Sequence, residues 1–266
     1  MNQTLQKLIK ICWNDFKKLE NEHPDLVVQN SIPILWFGDI DAYFESKKRI
    51  LTVAINPSNL EFMEKNGQRA SVELRFPAAN KIADEETLDD ADCEIYKKAM
   101  CEYFSQNKVS WFDNYERILK KLNASYECIL GNEVNTAIHI DIHTPVATRE
   151  KWSSVCKKGQ DEIVKTANTI KFESLFNFLN PDVTLVSYHR DEVKKFPNIP
   201  NWTVWSKKCG EYKGKHSNAF VSLYRLTNGK ALISGLNMNG DPFGGYNDFY
   251  DKAFAEMIKY NNIFDL

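Results

Sequence analysis

Apolar residues recur at helical spacing from the start of the chain. Leu5, Leu8, Cys12, Phe16 and Leu19 share one face of an amphipathic helix. The pattern changes at "RILTVAIN", 49 to 56, where a short apolar run ends at Pro57 and predicts a buried strand closing in a tight turn. Residues 59 to 95 are polar and aperiodic, and the acidic "ADEETLDDADCE", 83 to 94, reads as a solvated loop. "WFDNYERILKKL", 111 to 122, predicts a helix with Phe112, Tyr115, Ile118, Leu119 and Leu122 inward. In "TAIHIDIH", 136 to 143, apolar and polar residues alternate strictly, as in a strand that carries His139, Asp141 and His143 on one face. A helix is expected over about 160 to 178, then a turn at Asn180-Pro181 and a buried strand in "DVTLVSY". "NWTVWS" reads as a short strand, and "NAFVSLYRLTNGKALISGLN" as a hairpin around Asn228-Gly229. The last helix spans about Asn247 to Tyr260, with Phe249, Ala253, Phe254, Met257 and Ile258 apolar.

Strands separated by helices over the first 190 residues predict an α/β layered fold with a mainly parallel sheet. No internal repeat or Pro/Gly/Ser linker breaks the chain, so one domain over 1–266 is expected, with an N-terminal helical extension over about 1–30. Ligands of such sheets bind beyond the carboxyl ends of the strands. Three predicted strand ends carry able groups: Asn56-Pro57-Ser58, Asp141 to Thr144, and Asn237 to Gly245.

Composition narrows this only slightly. The chain has 266 residues, 43% hydrophobic and 26% charged, ordinary for a globular protein. No run approaches a membrane span, and the N-terminus has no apolar block of signal type, so a cytoplasmic location is expected. None of the six cysteines stands in C-x-x-C spacing; they read as free packing thiols rather than zinc or iron–sulfur ligands. A net charge of −2 argues against a whole-surface nucleic-acid binder but leaves room for a local basic groove, with clusters at Lys194–Lys195, Lys207–Lys208 and Lys213–Lys215.

His139, Asp141 and His143 have the chemistry of zinc or non-haem iron ligands, and His189 or His216 could complete a set for a metal-dependent phosphoester hydrolase. Ligands two apart on one strand stand about 6–7 Å from each other, however, so three rarely converge on one ion without a bend. A His139 satisfied in the core is the commoner arrangement. The expectation is therefore no metal and no cofactor.

The strand-end residues resemble the uracil-DNA glycosylase superfamily. "VAINPSN", 53 to 59, is similar to the Gly-Ile-Asn-Pro turn of its mismatch-specific branch, with Ala54 at the Gly position. "HIDIHTPVATREKWS", 139 to 153, looks like the strand that ends in a base-reading Asn, followed by a loop with Thr and Pro; Asp141 takes the Asn position. "GLNMNGDPFGGYND", 235 to 248, stands where the family has a His-Pro-Ser or Asn-Pro-Ser loop, and departs from it. The resemblance covers roughly 32 to 260 and implies a three-layer sandwich, a central mainly parallel β-sheet flanked by helices.

It also implies chemistry. A DNA glycosylase flips a base out of the stack and hydrolyses the N-glycosidic bond through an oxocarbenium-like sugar and an anionic leaving base. By resemblance, Asn56 positions the attacking water. Ser58 stands where the uracil-specific branch has a bulky Tyr, so its small side chain leaves room at carbon 5 of the pyrimidine. An Asn amide can both donate and accept, whereas an ionised Asp only accepts, which suits the exocyclic amino group of cytosine. Asp141 and Ser58 together point to a 5-modified cytosine, such as a hydroxymethylated or glycosylated base in foreign, phage DNA. A protonated Asp141 would restore uracil, the substrate of a mismatch or uracil repair glycosylase. Phe76 in "LRFPAAN", with Phe62 as rival, is the candidate aromatic floor under the base. Asn237, Asn239 and Gly240 are candidates for leaving-group contact or a clamp on the DNA backbone. The expected partner is DNA, single- or double-stranded, met by a monomer. A binding module of the same fold, without catalysis, remains open at this point.

Overall fold

The computed structural model describes residues 1–63, 71–106, 108–127, 134–167, 172–187, 196, 204–211, 218–235, 248–261 and 263. In chain order the elements are α1 (Gln3–Glu22), α2 (Ile40–Glu45), β1 (Ile50–Ala54), α3 (Asp90–Cys101), α4 (Phe112–Lys121), β2 (Ala124–Ser125), β3 (Asn135–Asp141), α5 (Lys157–Thr166), α6 (Phe172–Leu179), β4 (Val183–Ser187), β5 (Trp205–Glu211), β6 (Asn218–Arg225), β7 (Ala231–Gly235) and α7 (Asp248–Asn261). Short 3₁₀ turns cover Asn59–Glu61, Val72–Leu74, Pro77–Lys81, Tyr103–Ser105 and Trp152–Ser154. The chain divides into two compact units interleaved in sequence. The first holds Met1–Ile40, Ile55–Val109 and His139–Leu179; the second holds Asp41–Ala54, Ser110–Ile138 and Asn180–Leu266.

The seven strands form one mixed sheet in the order β2-β3-β1-β4-β7-β6-β5. β1 with β4, β2 with β3, and β4 with β7 pair in parallel, while β6 lies antiparallel to both β7 and β5. The fold is thus α/β with a mainly parallel sheet, as the alternating pattern predicts. Consecutive residues of β1 and β7 are buried, the mark of strands covered on both faces, and this is why they read as unbroken apolar runs.

In the second unit, the ends of the central parallel strands are tied together from one residue. Just before β4, the Asp182 carboxylate accepts from Arg49 N–H at 2.9 Å and pairs with Lys230, while its backbone carbonyl accepts from Ala231 N–H at 3.0 Å. Thr52, fully buried in β1, shares a hydrogen bond with Tyr126 (2.5 Å), and Tyr115 of α4 donates to Val53 O (3.0 Å). The hairpin turns at Asn228-Gly229 as expected, with Gly229 at φ +82°, a left-handed conformation that glycine adopts without a Cβ penalty.

In the first unit, α1 buries Leu5, Leu8, Ile9, Cys12, Trp13, Phe16 and Leu19, and packs on α3 and α5. Asn2 caps it by accepting from Thr4 N–H at 2.8 Å. The acidic stretch expected as a solvated loop is instead in part a helix start. Asp89 accepts from Asp92 N–H (2.8 Å) and the Asp92 carboxylate accepts from Asp89 N–H (3.0 Å), a reciprocal cap that opens α3. The negative charge complements the helix dipole there. A single helix over 160 to 178 is likewise corrected: α5 ends at Thr166 and α6 begins at Phe172. Ala167 is the C-cap of α5, its N–H donating to Ile163 O at 2.8 Å.

The segment after α1 has a specific task. Val28 N–H donates to Ala147 O (3.0 Å), Ile34 N–H to Pro145 O (2.7 Å) and Arg149 N–H to Leu26 O (3.1 Å). Val146 sinks into an apolar cluster with Phe16, Leu19, Val27, Ile163 and Ala167. The N-terminal helix and the strap behind it therefore hold the loop that follows β3. Among the described residues no helix is long and apolar enough to cross a membrane.

Candidate functional site

Two loops carry the site, and both lie in the first unit. One is the Asn-Pro turn after β1; the other follows β3. Three hydrogen bonds stitch them together: His143 N–H to Ile55 O (3.0 Å), Asn56 Nδ2 to Thr148 Oγ1 (3.1 Å) and Asn59 Nδ2 to Arg149 O (3.0 Å). Asn56 is one residue from Ile55, and Asp141 two from His143, so the stitching brings the turn and the strand end side by side.

The orientation of the Asn56 amide follows from its neighbours. The Thr148 hydroxyl donates to Glu150 O at 2.6 Å, and a carbonyl can only accept, so the hydroxyl hydrogen is committed. Thr148 Oγ1 can then only accept from Asn56, and Pro57 O (2.9 Å) likewise demands a donor. Both contacts fall on Nδ2. Oδ1, the acceptor, is the atom left to face a reactant.

Asp141 closes β3, and its side chain is 2% exposed. Oδ1 lies 3.6 Å from His139 Nε2 and has no hydrogen-bond partner. The residue lines a pocket with Ile34, Leu35, His143, Thr144 and Pro145. His139 is 1% exposed, exchanges two backbone hydrogen bonds with Phe37 and sets its ring 5.6 Å from that of Phe37.

The expectation of three polar residues on one strand face needs correction. His139 and Asp141 share a face, but the strand ends at Asp141 because His143 N–H turns to Ile55 O. The His143 ring then stacks on Trp152, 5.3 Å away and 14° from parallel. Among the described residues no group of three His, Cys, Asp or Glu side chains is placed to hold a metal ion. His189 and His216 lie outside the described residues.

Ser58 is exposed and caps the 3₁₀ turn, its Oγ accepting from Leu60 N–H at 3.2 Å. Phe76 and Phe62 are both fully buried. The Phe76 ring stacks on Tyr103 (5.3 Å, 28°) and lies 5.6 Å from Phe62, so it backs an aromatic cluster rather than offering an open face. Asn237, Asn239 and Gly240 fall outside the described residues.

Sequence reasoning passes over Glu61, Arg75 and Tyr103. Glu61 is 3% exposed and accepts from the Tyr103 hydroxyl at 2.7 Å. Burial pushes its carboxyl up to about 8, against the opposing pull of Tyr103 and Arg75, and Asp141 adds to the rise. The available signal was a Glu flanked by Leu60 and Phe62 in the turn beside Asn-Pro, a carboxyl with apolar neighbours on both sides.

The segment after the second loop is basic and exposed. Arg149, Lys151, Lys157 and Lys158 are exposed and flank the half-buried Trp152 in sequence, with Lys157 paired to Asp161 at 2.7 Å. Compared with protein-family models, with curated proteins and with solved structures, the chain finds no match.

Proposed function

We propose that the chain is a DNA N-glycosylase. It hydrolyses the N-glycosidic bond of a flipped pyrimidine, a 5-modified cytosine of the kind carried by foreign phage DNA, and leaves an abasic site. The observation that carries the reading is the Asn56 amide. Its Nδ2 is held by Pro57 O and Thr148 Oγ1, which leaves Oδ1 as the acceptor, and it is stitched to the loop that presents the acceptor Asp141.

The chemistry asks little else of the protein. As the glycosidic bond lengthens, positive charge grows on the sugar and negative charge on the base. Asn56 Oδ1 accepts a hydrogen bond from water and turns a lone pair of that water toward the anomeric carbon; as the new C–O bond forms, the water's proton passes to the departing base anion. A pinned amide saves the cost of ordering it at the moment of reaction. Asp141 Oδ1, buried and without a hydrogen-bond partner, accepts from the exocyclic amino group of cytosine; facing the O4 of uracil it would meet another acceptor. The basic residues that flank Trp152 in sequence suit a phosphate backbone, and the His143–Trp152 stack offers a ring surface for an unpaired base.

The test is base release from oligonucleotides bearing uracil, cytosine, 5-methylcytosine, 5-hydroxymethylcytosine or its glucosylated form. Release from a modified cytosine should resist chelator and fall by roughly 10²–10⁴-fold in Asn56→Ala, with DNA binding retained. Release from uracil alone would keep the reaction class and overturn the role given to Asp141. Backbone cutting that a chelator abolishes would replace the reading with a metal-dependent hydrolase. A module that binds bases without cleaving them is the second reading, favoured by the same unpaired Asp141 oxygen; it shows tight binding, no release, and affinity unchanged in Asn56→Ala.

A further inference from the structure

Behind Asp141 lies a group of polar side chains that the reaction above does not use. Arg75 Nε and Nη1 are buried without hydrogen-bond partners, as is Asp141 Oδ1; these are three of the four such side-chain atoms among the described residues. Glu61 stands in the electrostatic field of both Arg75 and Asp141, and Tyr103, which donates to Glu61 at 2.7 Å, also feels Arg75. The Tyr103 ring packs against Phe37 at 4.8 Å and stacks on Phe76 at 5.3 Å.

We propose that Arg75, Glu61 and Tyr103, together with Asp141, form a subsite for a hydroxyl group carried on carbon 5 of the flipped cytosine. This rests on the glycosylase reading for the base and goes beyond it for the substituent.

Buried donors and acceptors in native proteins find partners, and the unpaired ones mark a place where something binds. The chemistry of the unpaired atoms selects the guest. Arg75 Nε and Nη1 require an acceptor; Asp141 Oδ1 requires a donor. A hydroxyl does both through one oxygen. A phosphate or carboxylate would meet Arg75 but face Asp141 and Glu61, two carboxyl groups. A cation would meet the guanidinium. A methyl group would leave Arg75 Nε and Nη1 unpaired, at the full cost of desolvation. Burial pushes the Glu61 carboxyl up to about 8, so near neutrality it stands as a neutral neighbour of the guest. Of the group, Asp141 is the member that stands on the wall of the pocket of Ile34, Leu35, His143 and Thr144. Aromatic rings beside a guanidinium and carboxyl groups also accommodate the apolar face and the hydroxyls of a sugar, so one hydroxyl is the minimum this subsite takes.

The experiment compares 5-methylcytosine with 5-hydroxymethylcytosine, which differ by one oxygen. Binding of single-stranded oligonucleotides carrying one such base is measured by fluorescence anisotropy, and release of the base is followed in parallel. The proteins are the full chain, Arg75→Met and Glu61→Gln, each checked by circular dichroism and thermal unfolding. The native chain should bind the hydroxymethyl base at least about tenfold tighter than the methyl base, the equivalent of one well-made hydrogen bond pair. Arg75→Met should shrink that ratio to within about twofold while leaving the affinity for 5-methylcytosine in place, and Glu61→Gln should reduce it in part. If Arg75→Met does not fold, Glu61→Gln decides, because the amide keeps the shape and the hydrogen bond from Tyr103. No preference for the hydroxyl, or a preference that both variants retain, overturns the subsite, and water is then what fills it. Release of bases without that preference sinks the subsite alone; a preference without release sinks the glycosylase reading alone. Failure to bind any of the oligonucleotides sinks both.

Discussion

Glu61 gives the sharpest physical test of the first unit, because it needs no substrate. The carboxyl is buried, accepts one hydrogen bond from Tyr103 and has Arg75 and Asp141 in range, and burial raises it from an ordinary 4.5 to about 8. The native chain therefore keeps this proton up to about pH 8, while the unfolded chain releases it near 4.5. Between those values the native state binds one proton more than the unfolded state. Its stability falls as pH rises through that window, by about 1.4 kcal/mol per pH unit. The contribution is fully present below pH 4.5 and lost above about pH 8. Glu61→Gln removes the titration and keeps an acceptor for Tyr103. The perturbation is thus confined to one proton, and other titrations cancel in the comparison. Urea unfolding of both proteins at pH 5.5 and 7.5 should show the variant gaining on the native chain by roughly 2–3 kcal/mol between the two conditions. Parallel stability curves across that range would refute the reasoning, since they would mean that Glu61 is ionised in the folded chain or open to water.

Other perturbations follow from the same geometry. Thr148→Val removes the acceptor that sets the Asn56 amide; base release should drop about tenfold in kcat with little change in KM, and Thr148→Ser should restore it, as single-turnover kinetics would show. Asp89→Ala breaks the reciprocal cap of α3 and should cost about 0.5–2 kcal/mol in urea unfolding. Gly229→Ala meets nothing within 4 Å of its new Cβ, so only the left-handed backbone is penalised, by about 1–2 kcal/mol in thermal unfolding analysed at the midpoint.

β1, β4 and the β6–β7 hairpin were legible because each apolar run is bounded by a residue with a fixed backbone habit, whereas β2 lay in no predicted strand and β5, read as "NWTVWS" (201 to 206), runs over Trp205–Glu211. Asn56-Pro57 ends β1, Asn180 at φ 44° closes α6 before Pro181, and Asn228-Gly229 turns the hairpin. Asp141 was legible as a polar residue of an alternating run. The acidic residues 83 to 94 were misread because charge density suggests solvation, whereas the 2.8 Å contact from Asp92 N–H to Asp89 depends on a three-residue spacing that opens a helix. Glu61, Arg75 and Tyr103 belong to no periodic segment, and Tyr103 meets Glu61 across 42 residues of chain. Such a group is fixed by tertiary folding, and beyond the apolar neighbours of Glu61 local pattern carries no trace of it. The single reading that placed His143 on the strand failed for a related reason: a backbone bond to Ile55 ended the strand two residues sooner than its alternation did.

The stitches between the two loops also set when the site comes into being. Asn56 and Thr148 are 92 residues apart, and Asn59 and Arg149 are 90 apart. Closing so long a stretch is a late, entropically costly event compared with forming a helix or hairpin. During synthesis, Asn56 leaves the ribosome long before its partner exists, and its amide then has no fixed sense. The pinned amide therefore arrives as a step once residues 148 to 150 have joined, so that interrupted chains ending before that point carry the Asn-Pro turn without it.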